Sequence, residues 1–263
     1  MNDMMFLDGT SYTRLIENVD ANLVTFKDII NNNYDKNRRS FCIRHDVDNA
    51  MLQNSLNFAK IERHHNWAST YFIKYTSDYF DFSQRFVDSC RALVDLGHDL
   101  ALHVDVIQLY MDLKRKHGKV DLLEVLEKPL NFLRNQGFEI LGAAAHGSPE
   151  NYIYALNYEF WKEFDSTKNE ATGNLSFDKK ISLKELGLLY EAYFLKYNYY
   201  ITDSMGKWTG TNIDKREVVP YENSMIFGAD NMGKSAFKEF EQRDKGMLQV
   251  LIHPSKRWRV SRY

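Results

Sequence analysis

Short apolar runs alternate with longer amphipathic segments along most of this chain. Runs rich in β-branched and aromatic residues predict six strands, at 39–48, 67–75, 99–104, 139–145, 199–202 and 247–252. The periodicity between these runs predicts one or two helices over 11–33, a helix through Leu52, Leu56 and Ala59, and one from Phe86 to near Gly97. It also predicts helical sequence after the strand at 99–104, up to about Gly137, and helices at about 183–195 and 234–242. The region 151–175 is the least regular.

Strands that alternate with helices imply a parallel sheet covered by helices, which is an α/β fold. Two architectures suit this length, a closed or incomplete (β/α) barrel and an open doubly wound sheet. No glycine-rich phosphate loop follows a predicted strand, which argues against a nucleotide-binding open sheet and favours the barrel. No linker rich in Pro, Gly or Ser interrupts the sequence, so we expect a single domain over 1–263 with a helical lead-in over 1–38.

The composition narrows the classes of partner. The chain has 263 residues, 34 basic and 36 acidic, with a formal charge of -2, so we expect no nucleic-acid partner. Cys42 and Cys90 lie in apolar periodic segments and are expected to be buried thiols in a reducing compartment. Neither a secretory signal nor a run of about 20 apolar residues is visible, so we expect a cytoplasmic protein without a transmembrane segment. The sequence does not indicate the oligomeric state.

The segment 44–48 carries the most informative chemistry. It follows an apolar run, and strand alternation places Arg44, Asp46 and Asp48 on one face and His45 on the other. Two carboxylates on one face repel each other unless a cation or a shared proton compensates, which is the usual setting of a metal or acid–base site. An Asp at this position can also cap the following helix, although that explains one Asp more readily than two.

Four further polar clusters fall where predicted strands end. They contain His103 with Asp105, His146 with Ser148, Asp203 with Trp208 downstream, and His253. The loops at this end of a barrel converge on one mouth, where active sites assemble. A single His at such a position is often structural, but five coincident clusters favour one site.

The order of these motifs resembles a known family. The chain contains Arg-His-Asp-Val-Asp at 44–48, Ser-Thr-Tyr-Phe at 69–72, Gly-His-Asp-Leu-Ala-Leu-His at 97–103 and Leu-Ile-His-Pro at 251–254. In this order they resemble the NodB-homology polysaccharide deacetylases over about 39–254, and most of all a divergent branch associated with surface-polysaccharide biosynthesis. The resemblance implies a distorted (β/α) barrel of about seven strands and metal-dependent hydrolysis of an N-acetyl group on a sugar.

The resemblance also implies roles for individual residues. Asp46 corresponds to the general base, and Asp48 corresponds to the metal-binding carboxylate. His103 corresponds to the first metal-binding His of a His-x-x-x-His motif, and His253 to the general acid. Asp203 and Trp208 resemble the motif that lines the acid side of the pocket.

Two departures from the family pattern bear on the metal site. Ile107 stands where the second His of the metal motif is expected, and the segment around His146 replaces an arginine-bearing motif. Three protein ligands and a water are typical of a catalytic divalent site, so we infer that His146 is the third ligand, with Asp105 in reserve. Ser148, near His146, is counted among the residues that bind substrate or tune the site.

Arg44 has three possible roles. It could orient Asp46, bind a substrate carboxylate, or form a structural ion pair beneath the barrel mouth.

The expected cofactor is one divalent metal ion, with zinc first and Co, Ni, Mn or Fe also compatible with Asp and His ligands. The expected activity is hydrolysis of a linear C–N amide bond in an acetylated sugar. Two alternatives remain open. One is a metal-poor, non-catalytic sugar-binding relative, which Ile107 supports, and the other is a different metal hydrolase acting on C–N bonds.

Overall fold

The computed structural model describes residues 7–8, 12–13, 17, 19–49, 51–147, 154–164, 175–203, 209–213, 217–219, 236–254 and 258–259. The helices in these ranges are α1 Phe26–Ile30, α2 Leu52–His64, α3 Gln84–Asp95, α4 Ile107–His117, α5 Leu122–Asn135 and α6 Ala236–Glu241. The strands are β1 Leu7–Asp8, β2 Asn22–Leu23, β3 Arg39–Val47, β4 Thr70–Lys74, β5 Asp99–Val104, β6 Ile140–Ala145, β7 Tyr190–Glu191, β8 Tyr199–Thr202, β9 Thr209–Asn212, β10 Glu217–Val219, β11 Gly246–Ile252 and β12 Trp258–Arg259.

One large sheet carries most of these strands. Its order is β10-β9-β8-β11-β3-β4-β5-β6-β7, with β2 added alongside β3. Seven parallel strands and their helices make a curled half-barrel, which confirms the predicted distorted (β/α) barrel. The strands β9 and β10 pair antiparallel beyond β8, and β1 pairs with β12 in a separate two-stranded sheet.

The described chain divides into two compact units. The first comprises Met1–Tyr71, Asp88–Asp99 and Lys196–Tyr263. Its central strand is β3, which is buried at every position after Arg39 and pairs in parallel with β11. A strand covered on both faces needs apolar side chains throughout, which explains the continuous run at 41–43.

The second unit comprises Phe72–Val87 and Leu100–Leu195. Its strands β5 and β6 run parallel, and His103 lies opposite Ala144. Helix α4 ends at Gly118, whose φ of +74° suits glycine, and Asp121 caps α5 by accepting a hydrogen bond from the Leu123 N–H. The predicted helical stretch up to about Gly137 is therefore two helices.

The helix predicted at about 183–195 is wrong. The stretch 183–195 forms two 3₁₀ turns, Lys184–Leu186 and Ala192–Phe194, with β7 between them. Gly187 takes a left-handed φ of +63° that ends the first turn. The Glu191 carboxylate then accepts hydrogen bonds from the Ala145 N–H and the Trp161 indole, which hold β7 beside β6.

The N-terminal lead-in contains helix, as predicted for 11–33, since Tyr12, Thr13 and Glu17 are helical and α1 follows. Within 19–38 it forms the two-residue strand β2 and the short helix α1. Thr25 and Asp28 form a capping box that starts α1 where the polar residue precedes the apolar Phe26.

Two findings bear on the chain's environment. Cys42 and Cys90 are both buried free thiols. Burial raises the pKa of the Cys90 thiol to about 12, so it behaves as a small apolar side chain. Within the described ranges, no helix has both the length and the apolar character needed to cross a membrane.

Candidate metal centre

Three strands of the first unit end side by side. In the register of this sheet, Leu251 of β11 lies opposite Arg44 of β3 on one side and Thr202 of β8 on the other. The residues that follow these positions therefore lie at the same edge of the sheet. His253 is placed next to Asp203 and near the carboxylates of Asp46 and Asp48. This is the convergence that the polar strand ends predicted.

Arg44 and Asp46 form a buried ion pair. The guanidinium Nε donates to Oδ1 at 2.6 Å and Nη2 donates to Oδ2 at 2.7 Å. Arg44 is 0% exposed and Asp46 is 2% exposed. A bidentate pair of this kind holds the carboxylate in one orientation.

His253 is held by Asp203 through both its backbone and its ring. The His253 N–H donates to the carboxylate at 3.0 and 3.1 Å, and Nδ1 lies 2.7 Å from Oδ1. A carboxylate only accepts, so Nδ1 carries the proton and Nε2 points elsewhere, 4.0 Å from Asp48 Oδ2. Burial lowers the pKa of His253, but the nearby Asp203, Asp46 and Asp48 raise it more, to about 9.

His103 of the second unit has a fixed tautomer. Its Nδ1 lies 2.8 Å from the carbonyl oxygen of Ala144, the residue opposite it on β6. Because a carbonyl can only accept, Nδ1 must be the donor and Nε2 carries the lone pair. Anchoring one ring nitrogen on a carbonyl in this way is the usual support of a metal-binding His.

His146 lies in a charged cluster of the same unit. Its backbone N–H donates to the Val104 carbonyl at 2.8 Å, and its ring packs edge-on against His103 with centroids 5.1 Å apart. Lys74 Nζ lies 3.2 Å from His146 Nε2 and 3.2 Å from Asp105 Oδ2. Burial raises the pKa of Asp105, but His146 and Lys74 outweigh it and hold the pKa well below its usual value.

Among the residues that the structure describes, Asp48, His103 and His146 form a group that could hold a metal ion. One ligand atom from each lies within 4.8 Å of the other two. Two donors that are each about 2 Å from one ion lie at most about 4 Å apart. Any pair of these ligand atoms near the 4.8 Å limit would therefore have to move closer by up to about 1 Å to bind one ion. The group contains the three residues that the sequence suggested as ligands.

The remaining residues that the sequence linked to the site lie outside this group of three. Ile107 is the first residue of α4 and is 1% exposed, so it contributes to the core. Asp105, the reserve ligand, forms the ion pair with Lys74. Ser148 and Trp208 lie outside the described residues.

Two buried charged residues, Lys74 and Glu62, were not predicted from the sequence. Lys74 ends β4 directly after an apolar run, and a polar side chain at a strand end was the signal that identified the other clusters. Glu62 lies inside α2 and had no comparable signal. Its carboxylate is fully buried and is contacted by the side chains of Tyr12, His45, Ser69, Tyr71 and His98.

The Glu62 network explains why His45 lies on the opposite side of β3 from Asp46. His45 Nε2 lies 2.7 Å from Glu62, and its ring stacks on Tyr71 at 4.5 Å. Burial alone would raise the pKa of Glu62, but the histidines and the Tyr12 hydroxyl lower it to about 2. The network therefore stabilises the fold behind β3 rather than serving the strand-end cluster.

Comparison with known proteins gave no match to a family model, a curated protein or a solved structure. Function is therefore argued from the residues, their geometry and the motifs themselves.

Proposed function

We propose that this protein is a metal-dependent hydrolase that removes an N-acetyl group from a carbohydrate. The observation that carries the proposal is the grouping of Asp48, His103 and His146, whose ligand atoms lie within 4.8 Å of one another. Three protein ligands that leave a position for water are the usual donor set of a catalytic divalent ion.

The donor chemistry suits the proposed ion. One carboxylate and two imidazoles are ligands for zinc, and also for Co, Ni, Mn or Fe. The ring proton of His103 lies on Nδ1, which donates to Ala144, so Nε2 carries the lone pair that could coordinate an ion. A divalent ion bound here would polarise an acyl carbonyl and lower the pKa of a water molecule.

Asp46 is the proposed general base. Arg44 orients its carboxylate through two hydrogen bonds, and a carboxylate held in this way could accept a proton from the attacking water. The water oxygen then forms a bond to the acyl carbon. In this role Arg44 is a positioning residue, because its full burial keeps it from substrate.

His253 is the proposed general acid. Asp203 orients its ring through Nδ1, which leaves Nε2 to donate a proton to the departing nitrogen. The C–N bond breaks as that nitrogen gains its proton, and the products are acetate and an amino sugar. Proton removal and proton delivery thus fall to two different residues.

The choice of an acetylated sugar rests on the motif resemblance rather than on the geometry. The branch with Arg-His-Asp-Val-Asp is associated with surface-polysaccharide biosynthesis, so acetylated sugar nucleotides and oligosaccharides are the substrates to test first. The same arrangement of base, acid and ion would serve another C–N hydrolase.

The test is acetate release by purified protein. The protein is stripped with chelator, reloaded separately with Zn, Co, Ni, Mn or Fe, and supplied with a panel of acetylated sugar nucleotides and oligosaccharides. We expect equal amounts of acetate and free amine, with Asp46→Asn as an inactive control that retains metal. Metal binding with no acetate release would point to a different C–N substrate, and no metal binding would point to the non-catalytic relative.

A further inference from the structure

Lys74 occupies a position in the ligand cluster that the proposed reaction does not use. It ends β4, is 6% exposed, and places its ammonium group 3.2 Å from His146 Nε2 and 3.2 Å from Asp105 Oδ2. A lysine buried to this degree is expected to be paired, and here one partner is a proposed metal ligand.

The hydrogen bond to His146 defines the tautomer of that ring. An ammonium group has three donors and no acceptor, so the contacted Nε2 must supply the lone pair. The ring proton then lies on Nδ1, which faces Asp105 Oδ1 at 3.6 Å. Asp105 and Lys74 therefore stabilise the same tautomer from opposite sides of the ring.

A neutral imidazole has only one lone pair on its ring nitrogens. Lys74 donates a hydrogen bond to the nitrogen that carries this lone pair, and a metal ion would need the same lone pair for coordination. The two cations cannot use His146 at the same time, whichever nitrogen the metal would approach.

We infer that Lys74 is a displaceable cation that holds His146 in the metal-free protein and competes with the divalent ion for this ligand. This inference rests on the proposed function, since it assumes that His146 is a ligand. Lys74 keeps Asp105 as its partner when it releases His146, so the ammonium group never lacks a counter-charge. The competition makes ion binding weaker than the three ligands alone would allow.

The charge of Lys74 should also weaken ion binding. A fixed positive charge a few ångströms from a divalent ion repels it, and the repulsion is strong where both are shielded from water. Removing the ammonium group should therefore tighten ion binding, although it also removes a contact that positions His146. If positioning were the main role of Lys74, the same substitution would weaken binding.

The test compares Lys74→Met with wild-type protein by isothermal titration with Co²⁺ and by the visible absorption of bound Co²⁺. We expect the Kd for Co²⁺ to fall about tenfold or more in Lys74→Met, because both the repulsion and the competing hydrogen bond are lost. Lys74→Arg, which keeps the charge and the donors, should bind as wild type does. Lys114→Met removes a partly exposed lysine that pairs with Asp178, and it should leave the Kd unchanged. Lys74→Gln replaces Lys74→Met if the latter does not fold.

The comparison of Co²⁺ affinities distinguishes the competition from other roles of Lys74. Tighter Co²⁺ binding by Lys74→Met than by wild type supports the competition. Binding by Lys74→Met when wild type does not bind supports it as well. Equal or weaker binding by a folded Lys74→Met overturns it, while the proposed function stands because both proteins bind the ion. Absence of binding by both proteins overturns the competition and the proposed metal site together.

Discussion

Arg44 and Asp46 hold each other through two parallel hydrogen bonds although they are only two residues apart on one strand. The distances are 2.6 Å from Nε to Oδ1 and 2.7 Å from Nη2 to Oδ2. Strand alternation puts both side chains on the same face, and the long Arg side chain can fold back onto the carboxylate. Both groups are removed from water, so this pairing compensates much of the charge that each buries.

Breaking this pair should destabilise the protein strongly. Arg44→Met leaves the Asp46 carboxylate buried without its main counter-charge, and we expect the free energy of unfolding to fall by about 3–5 kcal/mol. Urea unfolding followed by circular dichroism measures this change. Arg44→Lys is the matched control, because it keeps the charge but not the fork, and it should lose less. Unchanged stability in Arg44→Met would show that other groups compensate Asp46.

The two carboxylates after Arg44 should fail in different ways. Asp48→Ala removes a proposed ligand, and we expect loss of bound metal together with activity. Asp46→Asn removes only the proposed base, and we expect full metal content with kcat lower by roughly 10²–10⁴-fold. Metal content by elemental analysis and initial rates of acetate release separate the two effects. The same loss of metal in both variants would contradict the assigned roles.

The proposed third ligand, His146, can be distinguished from the reserve candidate, Asp105, by a pair of substitutions. His146→Ala should lower the affinity for Co²⁺ sharply, because it removes one of three donors. Asp105→Asn should retain binding, because the Asp105 carboxylate pairs with Lys74 in the structure. Titration calorimetry on both variants makes the comparison. Loss of binding in Asp105→Asn with retention in His146→Ala would exchange the two assignments.

Much of the fold could be predicted because the buried parallel strands have distinctive compositions. The apolar run before Arg44 and the aromatic and β-branched run at 70–73 became β3 and β4, close to their predicted bounds. The stretch 183–195 could not be predicted as well. Its apolar spacing resembles a helix, but Gly187 and the tertiary hydrogen bonds of Glu191 break it into turns and a short strand.

The candidate ligands could be predicted because each lies at or just after the end of a predicted strand. The carboxyl ends of parallel strands lie at the same edge of a sheet. His146 was predicted as the third donor for this reason, without any help from the spacing of the His-x-x-x-His motif. The contact between Lys74 and His146 could not be predicted, because it depends on the register and twist that relate strands far apart in the chain. Glu62 was missed because a charge inside a helix normally faces water, and only the fold shows its five partners.

The buried Glu62 network should make the protein sensitive to acid. The pKa of Glu62 is about 2 in the folded protein against an ordinary value of 4.5, and the histidines and hydroxyl groups around the carboxylate overcome the opposing effect of burial. A lowered pKa means that the unfolded chain binds the proton more readily, so protonation favours unfolding. The contribution of Glu62 is complete above pH 4.5 and is lost as the pH falls towards 2. Its size is roughly 3 kcal/mol.

This acid sensitivity is measured by urea unfolding at a series of pH values between 6 and 2. Glu62→Gln cannot ionise, so we expect it to be less stable than wild type at pH 6 and to show a flatter decline below pH 4.5, with the two curves converging near pH 2. Glu127→Gln, at an exposed position of α5, is the matched control and should follow the wild-type curve. Parallel curves for wild type and Glu62→Gln would mean that the carboxylate keeps its ordinary proton affinity in the fold, and that the surrounding hydroxyl groups and histidines do not stabilise its charge.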